Sequence, residues 1–139
     1  MKKSTFPIAA GRLFVMLSAL LFIGALTPLT SMAAGKTVVI EMTDTSAGFA
    51  PERVTIAVGD TLEWRNVGAS LHSVDADPGN AQKPTDVVLP KGAPPFDSGF
   101  LAPGATYSHT FTVPGQYRYV CLSHEKEQMK MFGYVTVKK

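Results

Sequence analysis

Short runs in which apolar and polar residues alternate, separated by turns, constrain the fold of this chain most strongly. In the run 61–66, Leu62 and Trp64 fall on one face, and the Gly59-Asp60 turn separates this run from a similar one at 53–58. Strict alternation places apolar side chains on a single side of a strand. We found no convincing helical period after residue 35. The pattern predicts an all-β, Greek-key sandwich of about seven to eight strands.

The runs that we predict to be strands are 36–42, 53–58, 61–66, 71–74, 96–101, 106–113, 116–120 and 133–137. The segment Asp75–Pro95 interrupts them with five prolines and two glycines, which favour irregular backbone. We expect at most one short apolar contact there, at Val87–Leu89. Loops of this length in compact domains are usually functional, mobile or both.

The N-terminus has the layout of a secretory signal peptide. A basic start precedes the apolar run Leu13–Leu26, and the small residues Ala33 and Ala34 follow. We therefore predict a signal peptide at 1–34, cleaved near Ala33 or Ala34, and a single exported, periplasmic domain at 35–139. The alternative is an uncleaved membrane anchor, which the length of the apolar run almost allows.

Charge excludes one class of partner. Three of the 13 basic residues lie in the leader, which leaves 10 basic and 11 acidic residues in the mature part and a net charge of −1. No stretch rich in Lys or Arg suggests a nucleic-acid interface.

Near the C-terminus the chain concentrates soft metal ligands. Cys121 is the only cysteine, His124 follows three residues later, and Met129 and Met131 lie just beyond. His72, at a predicted strand about fifty residues upstream, offers a second imidazole. Two histidines, one cysteine and a weak axial methionine suit copper as Cu(I) or Cu(II) better than zinc or magnesium. The alternative for Cys121 is a buried, inert thiol.

The segment from about Phe49 to Val137 resembles the cupredoxin family. The motifs that carry the resemblance are Phe49-x-Pro51, Val58-Gly59-Asp60-Thr61-Leu-x-Trp64-x-Asn66, His72-Ser-Val74, Leu101-x-Pro103-Gly104, Phe111-Thr-x-Pro114-Gly115-x-Tyr117-x-Tyr119-x-Cys121-x-x-His124 and Met131-x-Gly133-x-Val135-x-Val137. The resemblance implies one copper ion held by His72, Cys121, His124 and a methionine.

The axial methionine is ambiguous in this sequence. The family spacing after the second histidine points to Met129, whereas the spacing before the last strand points to Met131. We favour Met131, because pairing in a sheet fixes the register of a strand more firmly than a loop fixes its length.

We expect the remaining candidate residues to have structural roles rather than to bind the metal. We expect Glu125 and Glu127 to be solvated loop charges rather than ligands. His109 alternates with aromatic residues, which favours a packed position on a strand. Ser73 matches the family position that hydrogen-bonds around the site, and Trp64 is expected in the core rather than as an electron relay.

The resemblance implies a one-electron carrier rather than an enzyme. Electrons are expected to pass through the exposed edge of His124 into a weakly docked partner, on a patch formed by Leu71, Leu122 and Phe132. A cytochrome, a dehydrogenase or a reductase is compatible as partner, and we expect a monomer. Two alternatives stay open: copper storage or delivery, and an enzyme or sensor with an open coordination position.

Overall fold

The computed structural model describes residues 35–46, 48–125 and 131–139, and these residues form an all-β fold. Their nine strands are β1 (Thr37–Met42), β2 (Phe49–Ala50), β3 (Arg53–Ala57), β4 (Thr61–Asn66), β5 (His72–Asp75), β6 (Asp97–Leu101), β7 (Thr106–Thr110), β8 (Gly115–Val120) and β9 (Phe132–Lys138). Each of the eight predicted runs overlaps one of these strands, although the run 106–113 is a strand only to Thr110, so the predicted all-β class is confirmed. The ninth strand is the two-residue β2, which is too short to show an alternating pattern.

The strands form two sheets. The first has the order β2-β1-β4-β7 and the second has the order β3-β9-β8-β5-β6. The pairs β1/β4 and β3/β9 are parallel, and the other pairs are antiparallel. Strands that pair are therefore often distant in sequence, which is typical of a sandwich in which the chain crosses between sheets.

The core lies between the two sheets, and a buried hydrogen bond joins one sheet to the other. Trp64 of β4 and Tyr119 of β8 are completely buried, and Trp64 Nε1 donates to the Tyr119 hydroxyl oxygen at 2.9 Å. Gly133 makes room for this pair, because a Cβ at that position would lie 2.0 Å from Tyr119 Cζ. Trp64 thus occupies the predicted core position, with its polar atom satisfied.

The irregular segment Asp75–Pro95 contacts β8 through main-chain and side-chain hydrogen bonds. It contains one 3₁₀ turn at Pro84–Asp86, and Val88 pairs with Arg118 through an isolated bridge. The Arg118 side chain donates to the carbonyl oxygen of Asp86 at 2.6 Å. Val87 is buried, which confirms the short apolar contact predicted there.

The topology brings distant segments to one end of the second sheet. Strand β5 begins at His72, the antiparallel β8 ends immediately before Cys121, and β9 begins immediately after Met131. The predicted leader at 1–34 and its cleavage site lie outside the described residues. Within the described part of the chain, no helix is long and apolar enough to cross a membrane.

Candidate metal centre

The thiol and one imidazole come from a tight turn after β8. Cys121 follows the strand directly, and the 3₁₀ turn Leu122–His124 is closed by a hydrogen bond from His124 N to Cys121 O at 3.0 Å. The turn carries the His124 ring back to the strand end, so that His124 Nδ1 lies 3.4 Å from Cys121 Sγ. The Cys-x-x-His spacing therefore places both donors on one side of a single turn.

The second imidazole comes from the neighbouring strand. His72 is completely buried, and its Nδ1 lies 3.7 Å from Cys121 Sγ. The His72 and His124 rings lie with their centroids 4.9 Å apart. One ligand atom from each of the three residues falls within 4.8 Å of the others. The three residues that the sequence analysis selected are thus brought together.

These distances fit donors that share one metal ion. Bonds of about 2.0 Å to nitrogen and about 2.3 Å to sulfur, typical of metals such as zinc, separate two donors by about 3.5–3.7 Å at tetrahedral to trigonal angles. The observed sulfur–nitrogen distances of 3.4 and 3.7 Å agree with that range to within about 0.1 Å. A thiolate with two imidazoles is a donor set suited to copper.

Ser73 organises the surroundings of the sulfur atom. Its main-chain N–H donates to Cys121 Sγ at 3.2 Å, and its Oγ lies 4.0 Å from the same atom. The Leu122 N–H donates to Ser73 Oγ at 2.8 Å. Both Ser73 and Cys121 are completely buried. These contacts connect β5 with the ligand turn, as predicted for Ser73, and hold the sulfur atom in a fixed, dry position.

The far nitrogen of His72 has a partner that the sequence analysis missed. His72 Nε2 lies 3.0 Å from Asp44 Oδ1, and the Asp44 carboxylate also accepts the main-chain N–H groups of Ala69 and Ser70. The Ala69 hydrogen bond is the main reason that the pKa of Asp44 lies below its ordinary value. The parallel register that pairs Met42 with Asn66 places the segments after β1 and β4 side by side. Knowledge of that register would have placed Asp44 near the segment that leads to His72, and so would have identified it as a partner of the histidine.

His124 is half-buried and less basic than a free histidine. Burial is the main cause that lowers its pKa, and the neighbouring His72 lowers it further. Both effects favour the neutral imidazole, which is the form that binds a metal.

Of the two candidate methionines, only Met131 lies among the described residues. It is buried next to the start of β9, and its carbonyl oxygen accepts the Cys121 N–H at 3.0 Å. Its side chain packs on Gly48, where a Cβ would lie 2.8 Å from Met131 Cγ and 3.6 Å from Sδ. A main-chain hydrogen bond therefore places Met131 next to Cys121 in space. Met129 lies outside the described residues.

The interpretation of Glu125 as a solvated charge is wrong. Glu125 is 4% exposed, and its carboxylate accepts the N–H groups of Gln82 at 2.9 Å and Lys83 at 3.3 Å. A buried carboxylate is tolerated when main-chain donors satisfy it, and here it joins the ligand turn to the segment 75–95. Glu127 lies outside the described residues. His109 is packed as predicted, stacked on Phe96 with the ring centroids 4.1 Å apart.

Comparison of the sequence with known proteins identifies the family of this chain. A model of the family of copper binding proteins, plastocyanin/azurin family, matches residues 36–138. The plastocyanin of Vicia faba is 30% identical over 100 residues, which cover 72% of this chain and 97% of that protein.

Solved structures of cupredoxins are similar to this fold. A purple cupredoxin from Nitrosopumilus maritimus has a TM-score of 0.54 and 26% identity, over 73% of this chain and 99% of that one. A Cu(I) form of an amicyanin variant has a TM-score of 0.55 and 26% identity, over 73% of this chain and 82% of that one.

Proposed function

The chain belongs to the plastocyanin/azurin family of copper-binding proteins, and from this premise we propose that it is an exported carrier of single electrons rather than an enzyme. In the proposed site, His72, Cys121 and His124 would hold one copper ion, with Met131 as a weak fourth ligand. Copper bound there would supply one-electron chemistry by alternating between Cu(I) and Cu(II). The observation that carries the proposal is the convergence of the three donors within 4.8 Å.

The fixation of the donors supports electron transfer. Cu(I) and Cu(II) prefer different geometries, so a flexible site would rearrange at every transfer. Here Cys121 is held through its main chain by Met131 and through its sulfur atom by the Ser73 N–H. His72 sits in a strand and has a second partner at Nε2. Restraint of this kind keeps the ligands in one arrangement in both oxidation states.

We propose that partners dock where His124 approaches the surface. Leu71, next to His72, is 52% exposed, while Leu122 and Phe132 are partly buried beside the ligand turn. A small apolar patch of this kind suits a redox partner, such as a cytochrome, dehydrogenase or reductase, that must dissociate after each transfer. In this proposal the protein acts as a monomer in the periplasm.

Voltammetry of the copper-loaded full chain tests the carrier function. We expect a reversible one-electron wave, with the copper retained in both oxidation states. The completely buried sulfur atom of Cys121 supports retention, because a chelator can replace this ligand only after local opening. Rapid loss of Cu(I) to a soluble chelator on reduction would contradict the carrier function and favour storage or delivery.

Electron self-exchange tests the docking surface without knowledge of the natural partner. NMR line broadening in mixed Cu(I) and Cu(II) samples measures the rate at which two copies exchange an electron. We expect Leu71→Glu to slow this exchange by roughly tenfold, because each of the two contacting copies then places a negative charge in the proposed contact. Val58→Glu is the matched control, since Val58 is 42% exposed and pairs with Lys138 at the far end of β9. Equal rates in the two variants would contradict docking at Leu71.

A further inference from the structure

The two ring nitrogens of His72 have different partners. Nδ1 faces the sulfur atom of Cys121 at 3.7 Å, whereas Nε2 faces Asp44 Oδ1 at 3.0 Å. A carboxylate can only accept, so Nε2 must carry the hydrogen in this contact. The lone pair of a neutral ring is then on Nδ1, which points to the proposed metal site.

The Asp44 carboxylate is itself held in place, although 36% of the side chain is exposed. It accepts the main-chain N–H groups of Ala69 and Ser70, in the segment that leads into β5. The main chain of Gly68 lies close beside the carboxylate, because a Cβ at position 68 would lie 2.6 Å from Asp44 Oδ1. These contacts leave the carboxylate little freedom to turn away from His72.

We propose that Asp44 is a positioning residue that fixes His72 as the Nε2–H tautomer and lowers the reduction potential of the copper centre. The effect on the potential rests on the proposed function, whereas the effect on the tautomer does not. Carboxylates that accept from a metal-binding histidine orient its ring and make it a stronger donor. A negative charge next to the ligand also favours Cu(II) over Cu(I), which carries one positive charge less.

The tautomer is measured in the copper-free full chain by long-range ¹H–¹⁵N NMR of the histidine rings. We expect His72 of the wild-type protein to carry its hydrogen on Nε2, and Asp44→Ala to give a mixture of tautomers. An Nδ1–H tautomer in the wild-type protein would overturn the proposal without any variant. An unchanged Nε2–H tautomer in Asp44→Ala would overturn the positioning role.

The potential is measured by voltammetry of the copper-loaded chain. Asp44→Asn removes the charge at nearly constant volume, and we expect it to raise the potential by about 59 mV, which corresponds to a tenfold change in the ratio of Cu(II) to Cu(I) affinity. The control is Glu63→Gln, which removes one negative charge from a strand residue paired with Arg65. A shift in Asp44→Asn no larger than that of the control would overturn the electrostatic role.

The two proposals fail in different ways. If the proposed function is wrong, the wild-type chain itself will show no reversible copper wave. If only the role of Asp44 is wrong, the wild-type wave will be normal and the Asp44 variants will match the control.

Discussion

Replacement of Ser73 by Ala should destabilise the domain while leaving its copper spectrum largely intact. Ser73 is completely buried, and its Oγ accepts the Leu122 N–H at 2.8 Å. Alanine leaves this main-chain donor, which lies in the ligand turn, without its acceptor. A buried donor that loses its partner costs about 1–3 kcal/mol, and because this hydrogen bond is part-buried we expect the lower end of that range. The main-chain N–H of residue 73 still donates to Cys121 Sγ, so the sulfur atom keeps its stronger contact.

Thermal unfolding of the copper-free protein measures this cost without a contribution from metal binding. For a domain of about 100 residues, each kcal/mol lowers Tm by about 4–8 °C. Ser108→Ala is the matched control, because Ser108 is exposed on β7. After loading with copper, both variants should keep an intense visible absorption.

Two results would refute this reasoning. If Ser73→Ala unfolds at the same temperature as Ser108→Ala, the Leu122 hydrogen bond does not stabilise the turn. If Ser73→Ala loses its colour at full stability, the Ser73 hydroxyl group, and not the main-chain N–H, controls the sulfur atom.

Three further predictions address the ligand turn, the axial ligand and the response to acid. Glu125→Ala should speed hydrogen exchange at the main-chain amides of residues 82 and 83, which lose their carboxylate acceptor; unchanged exchange would contradict the link between turn and loop. Met131→Leu should shift the reduction potential and the copper spectrum far more than Met129→Leu, and the reverse order would make Met129 the axial ligand. The pKa of Asp60 is held below its ordinary value of 3.8, mainly by the Ala57 N–H. Its contribution to stability is therefore present above about pH 3.8 and lost as the pH falls through the lower, folded pKa. Urea unfolding between pH 2 and 5 should show a weaker acid dependence for Asp60→Asn than for the wild-type protein, and equal dependence would contradict this role.

Most of the fold was predictable because alternation is a local property. Leu62 and Trp64 point inward as their spacing predicts, since successive residues of a strand face opposite sides. Strand β2 was missed, because Phe49 and Ala50 are a strand only through their pairing with β1. Local pattern does not contain that information.

The candidate site was predictable for a similar reason. Cys121 and His124 are joined by one turn, so their spacing in sequence already implies their closeness in space. Asp44 and Glu125 were not recognised, because their roles depend on partners 28 and 42 to 43 residues away. A carboxylate in a loop looks solvated until the fold supplies its donors.

The most direct test of the proposed copper centre is a pair of spectra, visible absorption and EPR, recorded on the Cu(II)-loaded full chain and on Cys121→Ser. A mononuclear site with sulfur and two imidazoles as ligands predicts an intense visible colour in the wild-type protein and its loss in the variant. The same weak absorption and tetragonal EPR signal in both proteins would show that the sulfur atom of Cys121 does not bind the copper, and would contradict the proposed site.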